Sequence, residues 1–181
     1  MRGYFLVTPQ MLIKGEKMQI NIGYFYFIKD EFFDKVKDKE LMQNKENGQK
    51  RPCYYCFKIK EYNNLFWFIP VSTKTDKYEN IYNHKIQKQI KLGKTPSVDT
   101  IVFGKIANTY STFLIQNMFP VTEKYIEGQY IKKKTPVRLS IELQNEIISK
   151  ATKVLSLYNE GMKKIVFPDI DNIIKQLLEE N

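Results

Sequence analysis

The run Phe66-Trp67-Phe68-Ile69-Pro70-Val71 is apolar at every position and closes on Ser72-Thr73-Lys74, two hydroxyls and an amine. Aromatic and β-branched residues suit a pleated, half-buried surface, so the run reads as a strand, and Pro70, which has no N–H, is expected to weaken pairing near it. Ser72, Thr73 and Lys74 then sit at the strand's mouth. A rigid strand feeding a polar turn can hold reactive groups at a surface, although many ordinary strand ends have the same pattern. Cys53 to Lys60 and Leu65 to Ile69 form a predicted hairpin across Glu61-Tyr62-Asn63-Asn64, since asparagine tolerates the positive φ of tight turns. Antiparallel pairing places Arg51, just before the first of these strands, opposite Ser72-Thr73-Lys74.

The rest of the chain alternates between two periods. Asn21 to Ile28 reads as a strand with apolar residues for both faces, hence central or covered on both sides. Asp30 is the predicted N-cap of a short helix that buries Phe32, Phe33 and Val36 and ends near Lys39. The polar run from Asn44 to Pro52 has no period and is assigned to a mobile surface loop. Tyr78, Tyr82, Ile86 and Ile90 recur every fourth residue, with Ile81 alongside, which predicts an amphipathic helix over Lys77 to Lys91 stopped near Gly93. Thr100 to Ile106 and Ser111 to Gln116 predict a second hairpin across Ala107-Asn108-Thr109-Tyr110, and Gln116 to Val121 closes that unit. Lys132-Lys133-Lys134 falls in a polar loop closed by Pro136. Ser140 is placed to cap a helix with the stripe Leu143, Ile147, Ile148, Ala151, Val154, Leu155 and Tyr158, stopped by Gly161. A last helix after Pro168-Asp169 carries Ile170, Ile173, Ile174, Leu177 and Leu178 on one face. This order of elements predicts an antiparallel sheet with helices packed on it, an α+β class, because parallel pairing would need regular crossovers.

At 181 residues and 43% hydrophobic composition the chain can bury the core of one domain, 1–181. Residues 1–17 differ from the rest. Lys14-Gly15-Glu16-Lys17-Met18 is what a purine-rich ribosome-binding site and start codon would give if translated in frame, which makes 1–17 a candidate non-native or accessory extension and Met18 a candidate start. No apolar run approaches the ~20 residues needed to cross a bilayer, and the expected location is the cytoplasm. Cys53 and Cys56 form a C-x-x-C, which admits a redox pair or half a zinc site. On a strand, positions three apart face opposite ways, and no second cysteine pair closes a tetrahedral site, so two half-buried thiols acting as small apolar groups are expected.

Charge changes the picture most. With 29 Lys and Arg against 20 Asp and Glu the formal charge is +9, a field that attracts polyanions, although a lysine-rich surface also serves solubility. There is no phosphate-cradling glycine loop, no H-E-x-x-H, no G-x-S-x-G and no second histidine, so neither metal nor cofactor is expected. What remains suits RNA. Its 2′-OH is a built-in nucleophile, and a cleaving protein need only align the phosphodiester, move protons and neutralise negative charge. Arg51, Ser72, Thr73, Lys74 and the lone His84 are the candidate catalytic residues; the histidine's plainer reading is an exposed helical residue. Lys29, Lys77, Lys85, Lys88, Lys132, Lys133 and Lys134 are candidate phosphate contacts, and the 12 Tyr and 12 Phe offer rings for base stacking. A non-catalytic RNA-binding module shares these features, as does, more distantly, a surface that captures an acidic protein.

The ordered set Tyr24 to Phe33, Arg51-Pro52-Cys53-Tyr54-Tyr55-Cys56-Phe57, Ile69-Pro70-Val71-Ser72-Thr73-Lys74, Asp99 to Gly104 and Phe113 to Thr122 resembles the toxins of type III toxin–antitoxin systems. The likeness is to the ToxN/AbiQ family, closest to its CptN-like branch, and covers about Ile22 to Tyr158. It implies a highly twisted antiparallel sheet, a partly open barrel akin to MazF/Kid-type toxins. It also implies a metal-independent endoribonuclease acting on cellular RNA, inhibited by a repeat-derived RNA pseudoknot that it processes, in closed toxin–RNA assemblies linked to phage resistance. Ser72 and Thr73 match the family's hydroxyl pair in reversed order. Lys74 follows at once, where some members place lysine two positions further on. Arg51 stands where they have lysine, Phe32 stands where some have a tyrosine, and His84 has no firm counterpart. Carried over, these residues imply 2′-OH attack leaving a 2′,3′-cyclic phosphate, with Arg51 and Lys74 opposing the charge, Ser72 or Thr73 orienting the phosphate or a water, and His84 a candidate proton shuttle.

Overall fold

A computed structural model describes residues 18–46, 48–59 and 65–179. The N-terminal segment 1–17 and the Glu61-Tyr62-Asn63-Asn64 turn lie outside the described residues. The strands are β1 Phe25–Ile28, β2 Lys45–Glu46, β3 Gln49–Lys50, β4 Cys53–Ile59, β5 Leu65–Ser72, β6 Ile101–Ile106, β7 Thr109–Leu114, β8 Phe119–Val121, β9 Ile126–Gln129, β10 Ile131–Lys132 and β11 Thr135–Pro136; the helices are α1 Asp30–Val36, α2 Thr75–Lys91, α3 Ile141–Asn159 and α4 Ile170–Leu178. Seven strands make one sheet in the order β6-β7-β5-β4-β1-β9, with β8 also on β5. Every pairing among the described strands is antiparallel, and β2–β3 and β10–β11 are separate two-stranded ribbons. The class is α+β, an open sheet with helices packed on it.

β5 is buried at all eight positions. Its side chains alternate between two cores: Trp67, Ile69 and Val71 enter one, Phe66 and Phe68 the other. β4 alternates likewise, Tyr54 and Cys56 against Cys53 and Tyr55. The thiols are therefore on opposite faces, as expected, but fully rather than half buried, and burial pushes the Cys53 thiol up to about 12 and the Cys56 thiol well above its usual range. Neither is a ready thiolate. β4 pairs with β5 from Ile59↔Leu65 to Cys53↔Pro70, with an irregularity in register between Tyr55 and Phe57. Pairing does not stop at Pro70. On its other edge β5 holds β8 through Phe66–Phe68 and β7 through Val71–Ser72, so the proline sits where one neighbour gives way to the next.

The first core is closed by α3 through Ile147, Ala151, Val154, Leu155 and Tyr158, and the second by Phe32 and Val36 of α1 with Phe119, Val121 and Tyr125. α4 straddles both, with Ile170 in the first and Ile173 and Leu177 in the second. Burying each such large side chain is worth about 1.5–3 kcal/mol. Ser140 caps α3 by accepting from the Leu143 N–H (3.3 Å), and the helix ends before Gly161, whose φ of +107° suits glycine. Gly104 on β6 is a point of close approach, for a Cβ there would lie 2.3 Å from Leu143 Cδ2.

Several expectations are corrected. Asp30 is not the cap of α1 but its first residue after Lys29. Its carboxylate accepts from Asn44 Nδ2 (2.7 Å) and pairs with Lys45 (2.6 Å), while Asn44 Nδ2 also donates to Ile28 O (2.9 Å). The run from Asn44 is thus no free loop: it is latched to the β1–α1 junction and forms β2–β3. α1 ends at Val36, short of Lys39, because Lys37 turns left-handed (φ 49°). The second hairpin turns across two residues, with Ala107 at φ 52°, not four. Lys132 belongs to β10, and Lys133 and Lys134 make its left-handed turn (φ 50° and 66°). α2 has the predicted stripe but buries no residue, since it lies on the outer side of β6–β7, with Tyr82 edge-on to Phe103 (5.6 Å) and Ile90 half exposed. Among the described residues no helix is long and apolar enough to cross a membrane.

Gly104→Ala is expected to lower stability by about 1–3 kcal/mol, with much of the loss recovered when Leu143→Ala makes room; thermal melts of the single and double variants check this. The hydrogen bond from Lys45, then that from Asn44, holds the Asp30 carboxyl below its ordinary range. Its contribution is present above the carboxylate range and lost as pH falls through the lowered value. The gap in urea midpoint between wild type and Asp30→Asn should therefore close on acidification.

Candidate active site

β5 ends at the sheet's rim beside an open cleft of about 630 Å³. Ser72, Thr73 and Lys74 form one wall, and Lys50, Arg51 and Pro52 another. The β6–β7 turn brings Ala107, Thr109 and Ser111, and the chain after β9 brings Tyr130 and Lys132. Four separate parts of the chain thus converge on one end of the central strand.

Arg51 lies where antiparallel pairing demands. Its Nη1 donates to Val71 O (2.8 Å), its Nε to Gln43 O (3.3 Å) and its backbone N–H to Asn44 O (2.6 Å). A guanidinium tied to two carbonyls is a fixed positive plane, with the geometry that suits a phosphate. Ser72 is almost fully buried, paired with Thr112 of β7, and its Oγ accepts from the Lys74 N–H (3.2 Å). That bond shapes the turn from β5 into α2, whose N-cap is Lys74, and leaves Thr73 and Lys74 exposed at the mouth. α2 begins at the cleft's edge, where its N-terminal dipole adds to the positive field. Lys50 is paired with Glu127 of β9, which sets the β2–β3 ribbon against the sheet.

The cleft brings together Arg51, Ser72, Thr73, Lys74 and Lys132 of the residues singled out by sequence. The others lie elsewhere. His84 is exposed on α2, ten residues beyond Lys74 and so about 15 Å further along the helix, out of reach of a phosphate held at Ser72. Lys85 is turned inward: its Nζ donates to Thr100 Oγ1 (2.8 Å) and Gln116 Oε1 (2.9 Å), and burial lowers its pKa. It is a strut between α2 and the β6–β7 unit. Lys77 and Lys88 are exposed on α2, Lys77 over the Tyr78 ring, Lys29 precedes α1, and Lys133 and Lys134 project from the β10–β11 turn beside Lys132. Phe32 is in the second core, stacked on Phe119 (5.5 Å).

Lys50, Thr109, Ser111 and Tyr130 line the cleft without having been singled out. Only for Lys50 was there a signal, its place immediately before Arg51. Among the described residues no carboxylate lines the cleft, and none form a cluster of three or more His, Cys, Asp or Glu suited to a metal ion.

No protein-family model and no curated protein matches the chain. Solved structures do. One is the toxin ToxN of a bacterial type III toxin–antitoxin system, selectively inhibited by a non-coding RNA pseudoknot, with TM-score 0.59 and 16% identity over 88% of this chain and 98% of that one. Another is AbiQ, a lactococcal anti-phage endoribonuclease of the type III toxin–antitoxin system, with TM-score 0.60 and 14% identity over 87% of this chain and 96% of that one. The chain has the fold of these proteins.

Replacing Lys50, Lys74 and Lys132 together with alanine should lower the salt needed for elution from heparin more than replacing Lys77, Lys88 and Lys91, an equal loss of charge from α2, because a concave site engages several anions at once. Equal shifts for the two triple variants would remove the cleft's special status.

Proposed function

We propose that the protein is the endoribonuclease toxin of a type III toxin–antitoxin system, cleaving single-stranded RNA without a metal ion and held in check by an RNA pseudoknot. The reading rests on one observation: a cleft at the end of the central strand gathers Arg51, Lys74 and Lys132, with Lys50 on its Glu127 partner, around the hydroxyls of Ser72 and Thr73, and no carboxylate is among the described residues that line it. Hard divalent cations are held by carboxylates and other oxygen ligands. Here side-chain cations take over the neutralising role. The fold shared with ToxN and AbiQ supports the same reading.

The substrate's 2′-oxygen attacks the adjacent phosphorus while the bond from phosphorus to the 5′-oxygen breaks, leaving a 2′,3′-cyclic phosphate and a 5′-hydroxyl. Arg51 and Lys74 oppose the charge that gathers on the non-bridging oxygens. Ser72 and Thr73 orient the phosphate, and Lys74 gives a proton to the departing 5′-oxygen. His84 takes no part. With neither imidazole nor carboxylate among the described residues of the cleft lining, the 2′-OH proton passes to solvent, so the rate should climb with pH straight through the range where imidazoles titrate. The pseudoknot antitoxin would occupy the same cleft with its own cleaved end, which couples processing to inhibition and closes toxin and RNA into a cyclic assembly.

Incubation with labelled single-stranded RNA in EDTA should give products ending in 2′,3′-cyclic phosphate. Lys74→Ala should lose about 10²–10³-fold in rate, as expected when one charge-stabilising donor is removed. Ser72→Ala with Thr73→Ala should abolish cleavage while leaving binding largely intact, and His84→Ala should cleave as wild type. RNA left whole by the wild-type protein would reduce it to an RNA-binding module, and full activity in the Ser72/Thr73 variant would take the hydroxyls out of the mechanism.

A further inference from the structure

Tyr130 is the single aromatic residue among the described residues that line the cleft. Its backbone is pinned on both sides, the N–H donating to Phe25 O (2.8 Å) and the carbonyl accepting from the Val137 N–H (3.0 Å). The side chain packs partly buried against the first core, its ring nearly perpendicular to those of Phe25 (6.5 Å, 77°) and Phe27 (5.7 Å, 84°). Both contacts are edge contacts. Elsewhere parallel rings pair within the protein, as in Phe32 on Phe119 (25°) and Phe103 on Tyr110 (20°). Among the described residues no ring lies parallel to Tyr130, and its hydroxyl has no protein partner.

A polynucleotide whose phosphates are held by Lys50, Arg51, Lys74 and Lys132 must also place its bases. Among the described lining residues the hydroxyls of Thr73, Thr109 and Ser111 and the Gln49 amide can meet base edges, but only Tyr130 offers a ring to a base's face. An aromatic face is the contact that accepts any base. We propose that the Tyr130 ring is a stacking platform for the nucleobase next to the scissile phosphodiester, a base subsite built into the cleft wall. This rests on the ribonuclease reading above. The nearly perpendicular contacts with Phe25 and Phe27 and the packing against the first core fix the ring's orientation in advance, so little side-chain freedom is lost when the base docks.

The test begins with the unmutated protein, so that folding of a variant is not at issue. A short single-stranded RNA with 2′-fluoro sugars, which removes the attacking hydroxyl, carries one 5-iodouridine walked along its length. After irradiation, mass spectrometry should find one position of the walk attached to Tyr130. Adducts confined to Tyr24, Tyr110 or other rings would overturn the inference. With the same RNA carrying 2-aminopurine at that position, Tyr130→Phe should keep affinity and fluorescence quenching. Tyr130→Leu should bind about tenfold more weakly and lose the quenching, with an unchanged salt slope because no phosphate contact has gone. Equal losses in both variants would assign the contact to the hydroxyl and overturn the platform. A wild-type protein that neither binds nor cuts RNA would overturn the ribonuclease reading as well, whereas one that cuts normally without touching Tyr130 would overturn this inference alone.

Discussion

The structure depends on one strand being enclosed on every side. β5 has β4 along one edge, β8 and then β7 along the other, and a core against each face. Such a strand cannot slip by one residue without driving Trp67 and Phe68 each into the wrong core, so its register is strongly specified. Pro70 fits this arrangement only because the second edge changes partner there. The missing N–H falls at a gap between two neighbours and leaves the ladder with β4 intact to Cys53.

That enclosure carries through to the cleft. The end of β5 is as firmly placed as its middle, and Arg51 adds a clamp of its own by holding the Val71 carbonyl. Ser72 then faces the cleft from a strand that cannot move, while Thr73 and Lys74, one and two residues further, are exposed. The bond from the Lys74 N–H to Ser72 Oγ turns the chain directly into α2. Groups meant to meet a phosphate at fixed distances are best carried this way, because a rigid support removes the cost of orienting them.

Charge is organised by the same geometry. The excess of lysine and arginine is spread over the chain, yet the cations divide by role once the fold brings them together. Lys85 spends its charge inside, on Thr100 and Gln116, while Lys45 and Lys50 fasten the β2–β3 ribbon to Asp30 and Glu127. Arg51, Lys74 and Lys132 come from three distant parts of the sequence to a cleft with no carboxylate among the described residues of its lining, and Lys50 joins them while paired with Glu127.

Local pattern determined a good deal. The apolar run of β5, the periods of α3 and α4, the Ser140 cap and the Gly161 stop were all legible, because each depends on neighbours within a turn or two of the chain. So was the meeting of Arg51 with the end of β5, since a hairpin fixes which residues oppose each other. Other features depend on contacts across the fold. Asp30 serves as an anchor rather than a cap because Asn44 and Lys45 fold back onto it, and α2 stays half-buried because the sheet offers it only the outer side of β6–β7. His84 and Lys85 are adjacent on one helix, yet one faces solvent and the other a pair of acceptors, and neither reaches the cleft. Tyr130 carried no signal at all. Its place in the cleft follows from the pairing of β9 with β1, and a pairing between strands a hundred residues apart is decided by how the whole sheet closes around its core rather than by anything in the segments themselves.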